Sequence, residues 1–203
     1  RPVIQAIPQF LLNHQPGNLH LVLVSRADPP WPLGRLRARR EVNEIRTADL
    51  RFTPQEATAF LNTCMGLRLT EAEIATLENR TEGWIAGLQL AALSLQGQAN
   101  PQEIIASLAG RHRFIADYLI EEVLEKQTPD VQEFLLKTSV LEQMNAALCD
   151  EVTERSDSQT TQLQLERANL FLQPLDHNRN WYRYHHLFAD LLKIKLGQAH
   201  PGL

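Results

Sequence analysis

The sequence predicts a mostly α-helical chain built in three parts: the remnant of a parallel α/β lobe, a helical lid, and a winged-helix unit closed by a small β-hairpin. Three observations predict it. A single valine-rich apolar run stands near the start, a series of capped helix starts follows from residue 53, and an aromatic-rich hairpin pattern with a closing helix ends the chain.

Residues 1–13 (RPVIQAIPQFLLN) carry Ile4, Ile7, Phe10 and Leu11 at helical spacing. After a Pro16-Gly17 turn comes the run Leu19-His20-Leu21-Val22-Leu23-Val24, stopped by Pro29-Pro30. Its length and composition fit a strand buried on both faces, as in a parallel sheet. A lone parallel strand cannot satisfy its own backbone, so its partners are expected upstream. With no initiator methionine before Arg1, the chain reads as an internal piece of a longer protein.

From residue 53 the signals become helical. Thr53-Pro54-Gln55-Glu56 and Thr70-Glu71-Ala72-Glu73 are capping boxes. Asn100-Pro101-Gln102-Glu103 and Thr128-Pro129-Asp130 repeat the logic, with proline at the first helical position. Apolar faces follow: Trp84, Leu88, Ala91 and Leu95; Phe114, Ile115, Tyr118 and Leu119; Val131, Phe134 and Leu135. No fixed period joins these helices, which disfavours a solenoid. Residues 170–175 then read as a strand, 176–180 as a polar turn and 181–184 as the returning strand. A last helix turns Leu187, Phe188, Leu191, Leu192 and Leu196 inward.

Composition bounds the function. Hydrophobic residues make up 43% of the 203 and charged residues 22%, ordinary for a folded globular chain. The net charge of −4 argues against a protein whose main work is gripping phosphate backbones. No apolar run approaches the ~20 residues of a membrane-spanning helix, so no membrane partner is expected. Cys64 and Cys149, with no C-x-x-C pair, read as reduced, buried thiols of a cytoplasmic protein.

Few residues carry chemistry. Ser25-Arg26 stands at the carboxyl end of the expected strand, where open α/β sheets bind ligands, and an arginine fork there would reach a phosphate or a structural carboxylate. His185-His186 follows the second wing strand. One ring packed and one solvated is the plain reading; an imidazole donating to a phosphate is the sharper one. Residues 35–40 (RLRARR) form the densest positive patch and read as a solvated loop or short helix, an anion contact being the alternative. Asp28, Asp117 and Asp150 look isolated. The chain has no phosphate-loop, nucleophile-elbow or zinc-protease motif, so no catalytic activity is expected from it alone.

Four stretches together resemble the ATP-dependent LuxR-type (MalT-like) regulators of the STAND class of signal-transduction ATPases: LHLVLVSRADPPWPLGRLRARR, EIRTADLRFTPQEATAFL, TEGWIAGLQLAALSL and NLFLQPLDHNRNWYRYHHLFADLL. The resemblance implies the end of a nucleotide-binding lobe over 1–50, a helical lid over 51–127 and a winged-helix domain over 128–203. It implies a nucleotide switch with ATP or ADP and Mg2+ as ligands of the intact protein, resting with ADP and active with ATP and an inducer. Arg26 resembles the arginine that contacts the terminal phosphate. Gly87 and Gln89 resemble the lid segment beside adenine, with Gln89 where relatives have proline. His185 resembles the winged-helix histidine that closes on ADP, and His186 replaces an aspartate of some relatives. Inducer, DNA and self-association are implied partners, the first two through domains outside this chain. The alternative function is a stand-alone winged-helix DNA-binding or protein-interaction module, its wing bearing Arg179 and Arg183.

Overall fold

A computed structural model describes residues 10, 12, 14, 16–25, 28–29, 31–98, 102, 104–105 and 113–199. The architecture is mostly helical, with one antiparallel hairpin among the described residues.

Helix α1 (Leu33–Arg39) buries none of its residues, so the basic patch is a solvated short helix. Its charges are partly neutralised: Arg37 pairs with Glu44, and Arg46 bridges Glu44 and Asp28. Asp28, expected to be isolated, therefore has a partner.

The expected strand at 19–24 is not formed. The segment has no strand pairing, and Val22 and Val24 are 84% and 92% exposed. The reason is physical: an extended run becomes a strand only when a neighbour completes its ladder, and none of the described residues offers one. The first expected helix is described only at Phe10, Leu12 and His14, and Arg26 lies outside the described residues.

The stretch expected to form the lid follows its sequence signals closely. Helix α2 (Pro54–Thr58) and helix α3 (Glu71–Thr81) start at complete capping boxes, Thr53 with Glu56 and Thr70 with Glu73. In each box the carboxylate accepts from the cap's own amide at 2.8 Å, which stabilises the start by about 1 kcal/mol. Helix α2 runs into a π-helical turn, Ala59–Cys64, and Cys64 is exposed rather than buried because it closes that turn. Helix α4 (Ile85–Leu95) buries Leu88, Ala91 and Leu95, as its spacing requires. The expected cap at Asn100 lies outside the described residues. Helix α5 (Arg113–Leu119) buries Ile115 and Leu119, whereas Phe114, expected inside, is half exposed on the opposite face.

Helix α6 (Pro129–Thr138) begins at Thr128 with proline at its first turn, but the threonine side chain makes no capping bond. Helices α7 (Ala146–Thr153) and α8 (Ser158–Arg167) follow. Strand β1 (Leu172–Pro174) pairs with β2 (Tyr182–Tyr184), Leu172 opposite Tyr184. Met144 adds a bridge to Tyr182, the third short edge of the wing. Asp176 closes the hairpin by accepting from the amides of Asn180 and Trp181. Helix α9 (His186–Ala199) buries Leu187, Phe188, Leu191 and Leu192, while Leu196 is only half-buried.

One apolar core runs from Leu61 and Leu77 to Phe134, Phe188 and Leu192, through both of the stretches expected to form the lid and the winged-helix unit. Helix α9 spans the junction, packing on α6 of its own unit and on α3 and α5 of the lid. No helix among the described residues is long and apolar enough to cross a membrane.

Candidate functional site

The residues that gather chemistry lie where the α3–α4 corner meets the end of the wing. Helix α3 stops at Thr81, and the next two residues both turn left-handed: Glu82 at φ 50° and Gly83 at φ 70°. Gly83 is required there. A Cβ would lie 2.6 Å from the Phe52 carbonyl oxygen, and the Phe52 amide donates to the Gly83 carbonyl at 2.8 Å. Glu82 has no such freedom, and a left-handed conformation costs a non-glycine residue about 1 kcal/mol.

That strained corner aims the Glu82 carboxylate into a cluster of donors. Arg183 grips it with both terminal nitrogens, at 2.8 and 2.9 Å, in the paired geometry that suits a planar guanidinium. Gln173 Nε2 donates at 2.9 Å and the backbone amide of His186, the first residue of α9, at 3.1 Å. Arg51 stands 3.4 Å away and His186 Nδ1 3.5 Å. The Glu82 side chain is only 7% exposed. Burial pushes its carboxyl upward, but Arg183, the attraction of His185, Gln173 and the His186 amide outweigh it and hold the group at about 2.

His185 lies beside this cluster and is buried. Its Nε2 is 2.9 Å from the Thr81 carbonyl oxygen, so Nε2 carries the proton and donates across the junction. Its backbone amide donates to Phe171. Its Nδ1, also buried, has no hydrogen-bond partner. Burial lowers the pKa of the ring, outweighing the opposing pull of Glu82 and of the Thr81 carbonyl. The ring is therefore neutral at neutral pH. Its attraction to Glu82 operates only in acid, and Arg183 is the working counter-charge.

An aromatic cage completes the site. The Trp84 ring meets Phe171 edge-on at 5.1 Å and His185 at 6.1 Å, and Phe171 meets His185 at 5.6 Å. Phe171 itself holds φ 55°, an uncommon conformation for a bulky side chain.

The sequence-derived site residues fall out unevenly. His185 is at the centre and His186 on its exposed rim. Gly87 is buried one turn into α4, where a Cβ would lie 2.7 Å from the Trp84 ring, so it lets that ring seat. Gln89 is exposed on α4, and Arg26 lies outside the described residues. Sequence reasoning missed Glu82, Trp84 and Phe171 as site residues. The only signal was a charged residue where a helix C-terminus usually places glycine. Of the wing arginines, Arg183 is taken by Glu82, and the exposed Arg179 pairs with Glu166 at 3.1 Å. No cluster of metal-ligating side chains occurs among the described residues.

Comparison with known proteins locates the unit. Residues 120–203 match the family model described as the MalT winged helix domain. The chain is 37% identical over 198 residues to the serine/threonine-protein kinase PknK of Mycobacterium tuberculosis, covering 97% of this chain and 18% of that protein. It is 37% identical to the HTH-type transcriptional regulator MalT of Serratia proteamaculans, covering 99% and 23%. It is 38% identical to MalT of Klebsiella pneumoniae, covering 95% and 22%. The chain spans about a fifth of the length of these relatives.

Proposed function

Starting from residues 120–203 as a winged-helix domain of the MalT type, we propose that the chain is the regulatory core of a MalT-like transcriptional regulator, a nucleotide switch whose winged-helix unit docks on its lid at rest. The observation that carries this reading is His185: a buried imidazole that bridges the two units through Thr81 while its second nitrogen stays unpartnered. Such a group costs stability where it stands, and an unsatisfied buried polar atom calls for a reason.

A nucleotide phosphate fits that reason. The Nδ1 atom faces no competing partner, and a nearby negative charge would favour the doubly protonated ring. His185 would then donate from both nitrogens, keeping Thr81 while holding a phosphate oxygen. Bound ADP, with its Mg2+, would supply that negative charge. Gly87 contributes indirectly by seating Trp84. Arg26 and Gln89 are proposed, from the family resemblance, as contacts to the terminal phosphate and near adenine. The full protein would rest with ADP and respond to ATP with an inducer by undocking and self-assembly. The two ligands need only differ in affinity for the docked and open states.

The test is made on the intact protein. His185→Ala is expected to speed ADP release and raise basal transcription, and Arg26→Ala to reduce ATP-dependent self-assembly. ADP release at the parent rate from the His185 variant would reject the assignment. A stand-alone DNA-binding role gains no support from Arg183, which Glu82 holds.

A further inference from the structure

We propose that Glu82 is the clasp that keeps the winged-helix unit docked on the lid, so that one carboxylate governs whether the two units separate. The inference goes beyond the nucleotide reading and does not rest on it, because every group involved belongs to the chain itself.

The polar links across the junction at this corner converge on two consecutive residues. Thr81 offers its carbonyl to His185, and Glu82 takes Arg183, Gln173 and the amide that opens α9. The three Glu82 partners come from β1, β2 and α9, so the carboxylate ties together all the elements that form the wing and its closing helix. Arg51 reaches the same carboxylate from the lid side, at 3.4 Å, and steadies it from behind.

The burial of the pair makes the clasp switch-like. A buried carboxylate stripped of one partner is left with an uncompensated charge, so loss of Arg183 is felt far more than loss of a surface ion pair. The backbone places the carboxylate: Glu82 takes the left-handed conformation that caps α3, its amide bonded to the Glu78 carbonyl, and this turns its side chain toward the wing. Undocking exposes Trp84 and Phe171 together. The aromatic cage adheres without direction, whereas the carboxylate supplies a single docked orientation through its paired grip on Arg183.

The experiment uses the full chain without nucleotide. Spin labels are placed on Cys64, an exposed thiol of the lid, and on Asn178→Cys at the exposed wing turn. The parent is expected to give one narrow distance distribution. Glu82→Gln and Arg183→Gln are each expected to broaden it, with roughly a hundredfold loss in the docking equilibrium. The double variant should be no worse than either single. Helical content should hold in all of them. An unchanged distribution in Glu82→Gln, or additive losses in the double variant, would overturn the proposal. So would complete unfolding of both Glu82→Gln and Arg183→Gln, since Glu82 would then be a core group of one indivisible fold. ADP release plays no part in these readouts, so this result stands or falls separately from the role of His185.

Discussion

Replacing Gly83 by alanine tests the corner that positions both Glu82 and Trp84. Two costs add. At φ 70° an alanine pays about 1 kcal/mol for the left-handed conformation. Its Cβ would also lie 2.6 Å from the Phe52 carbonyl oxygen and 3.1 Å from the Phe52 nitrogen, both backbone atoms that cannot swing aside. Overpacking of that kind costs about 1–3 kcal/mol. The sum is about 2–4 kcal/mol, or roughly 5–15 °C in melting temperature for a chain of this size. Gly66 provides the control, with φ 68° and nothing within 4 Å of its Cβ position. There only the conformational cost applies, about 1 kcal/mol. The entropy that alanine removes from the unfolded chain is the same in both and cancels. Paired thermal and urea melts measure the difference directly. If Gly83→Ala melts within a degree or two of Gly66→Ala, the close approach of Phe52 does not hold the corner and the reasoning fails.

The remaining predictions concern buried polar groups. Tyr184 donates to Thr138 Oγ1 at 2.7 Å, and that hydroxyl donates in turn to the Phe134 carbonyl; Tyr184→Phe should cost about 1–1.5 kcal/mol in urea denaturation. Burial raises the Tyr184 phenol, so its ionisation should appear only with alkaline unfolding in an absorbance titration. His185 has its pKa lowered by burial, so the unfolded chain binds the proton first. Stability should therefore fall as pH drops below about 6.5, and His185→Gln should flatten that slope in melts across pH. Glu82 has the usual carboxylate sign: its contribution is present above about 4.5 and is lost as pH falls through about 2, with Arg51, Arg183 and His186 as the facing charges. Burial pushes the Cys149 thiol up to about 11, whereas Cys64 is exposed. A thiol reagent should titrate one group in the native chain and two after denaturation.

Local signals were legible and distant ones were not. Thr53 and Thr70 each sit three residues before a glutamate, and such a box closes with atoms of one helical turn, so both starts could be read directly. The wing was legible for the same reason: the two runs that flank the polar turn at 176–180 are neighbours in sequence and pair with each other. The run at 19–24 failed because strand formation is a property of neighbours, and composition records none of them. Glu82 was invisible for a related reason. Its partners lie 91 and 101 residues further along, and nothing near Glu82 hints at them. His185 could be singled out, but its tautomer and its link to Thr81 exist only once α3 and the wing have met.

The two left-handed residues after α3 make the corner too short to bend, with Thr81, Glu82 and Trp84 carried on four consecutive positions. Polar grip and aromatic contact therefore travel as one rigid jaw. Any input that tilts α3 or α4 reaches both at once.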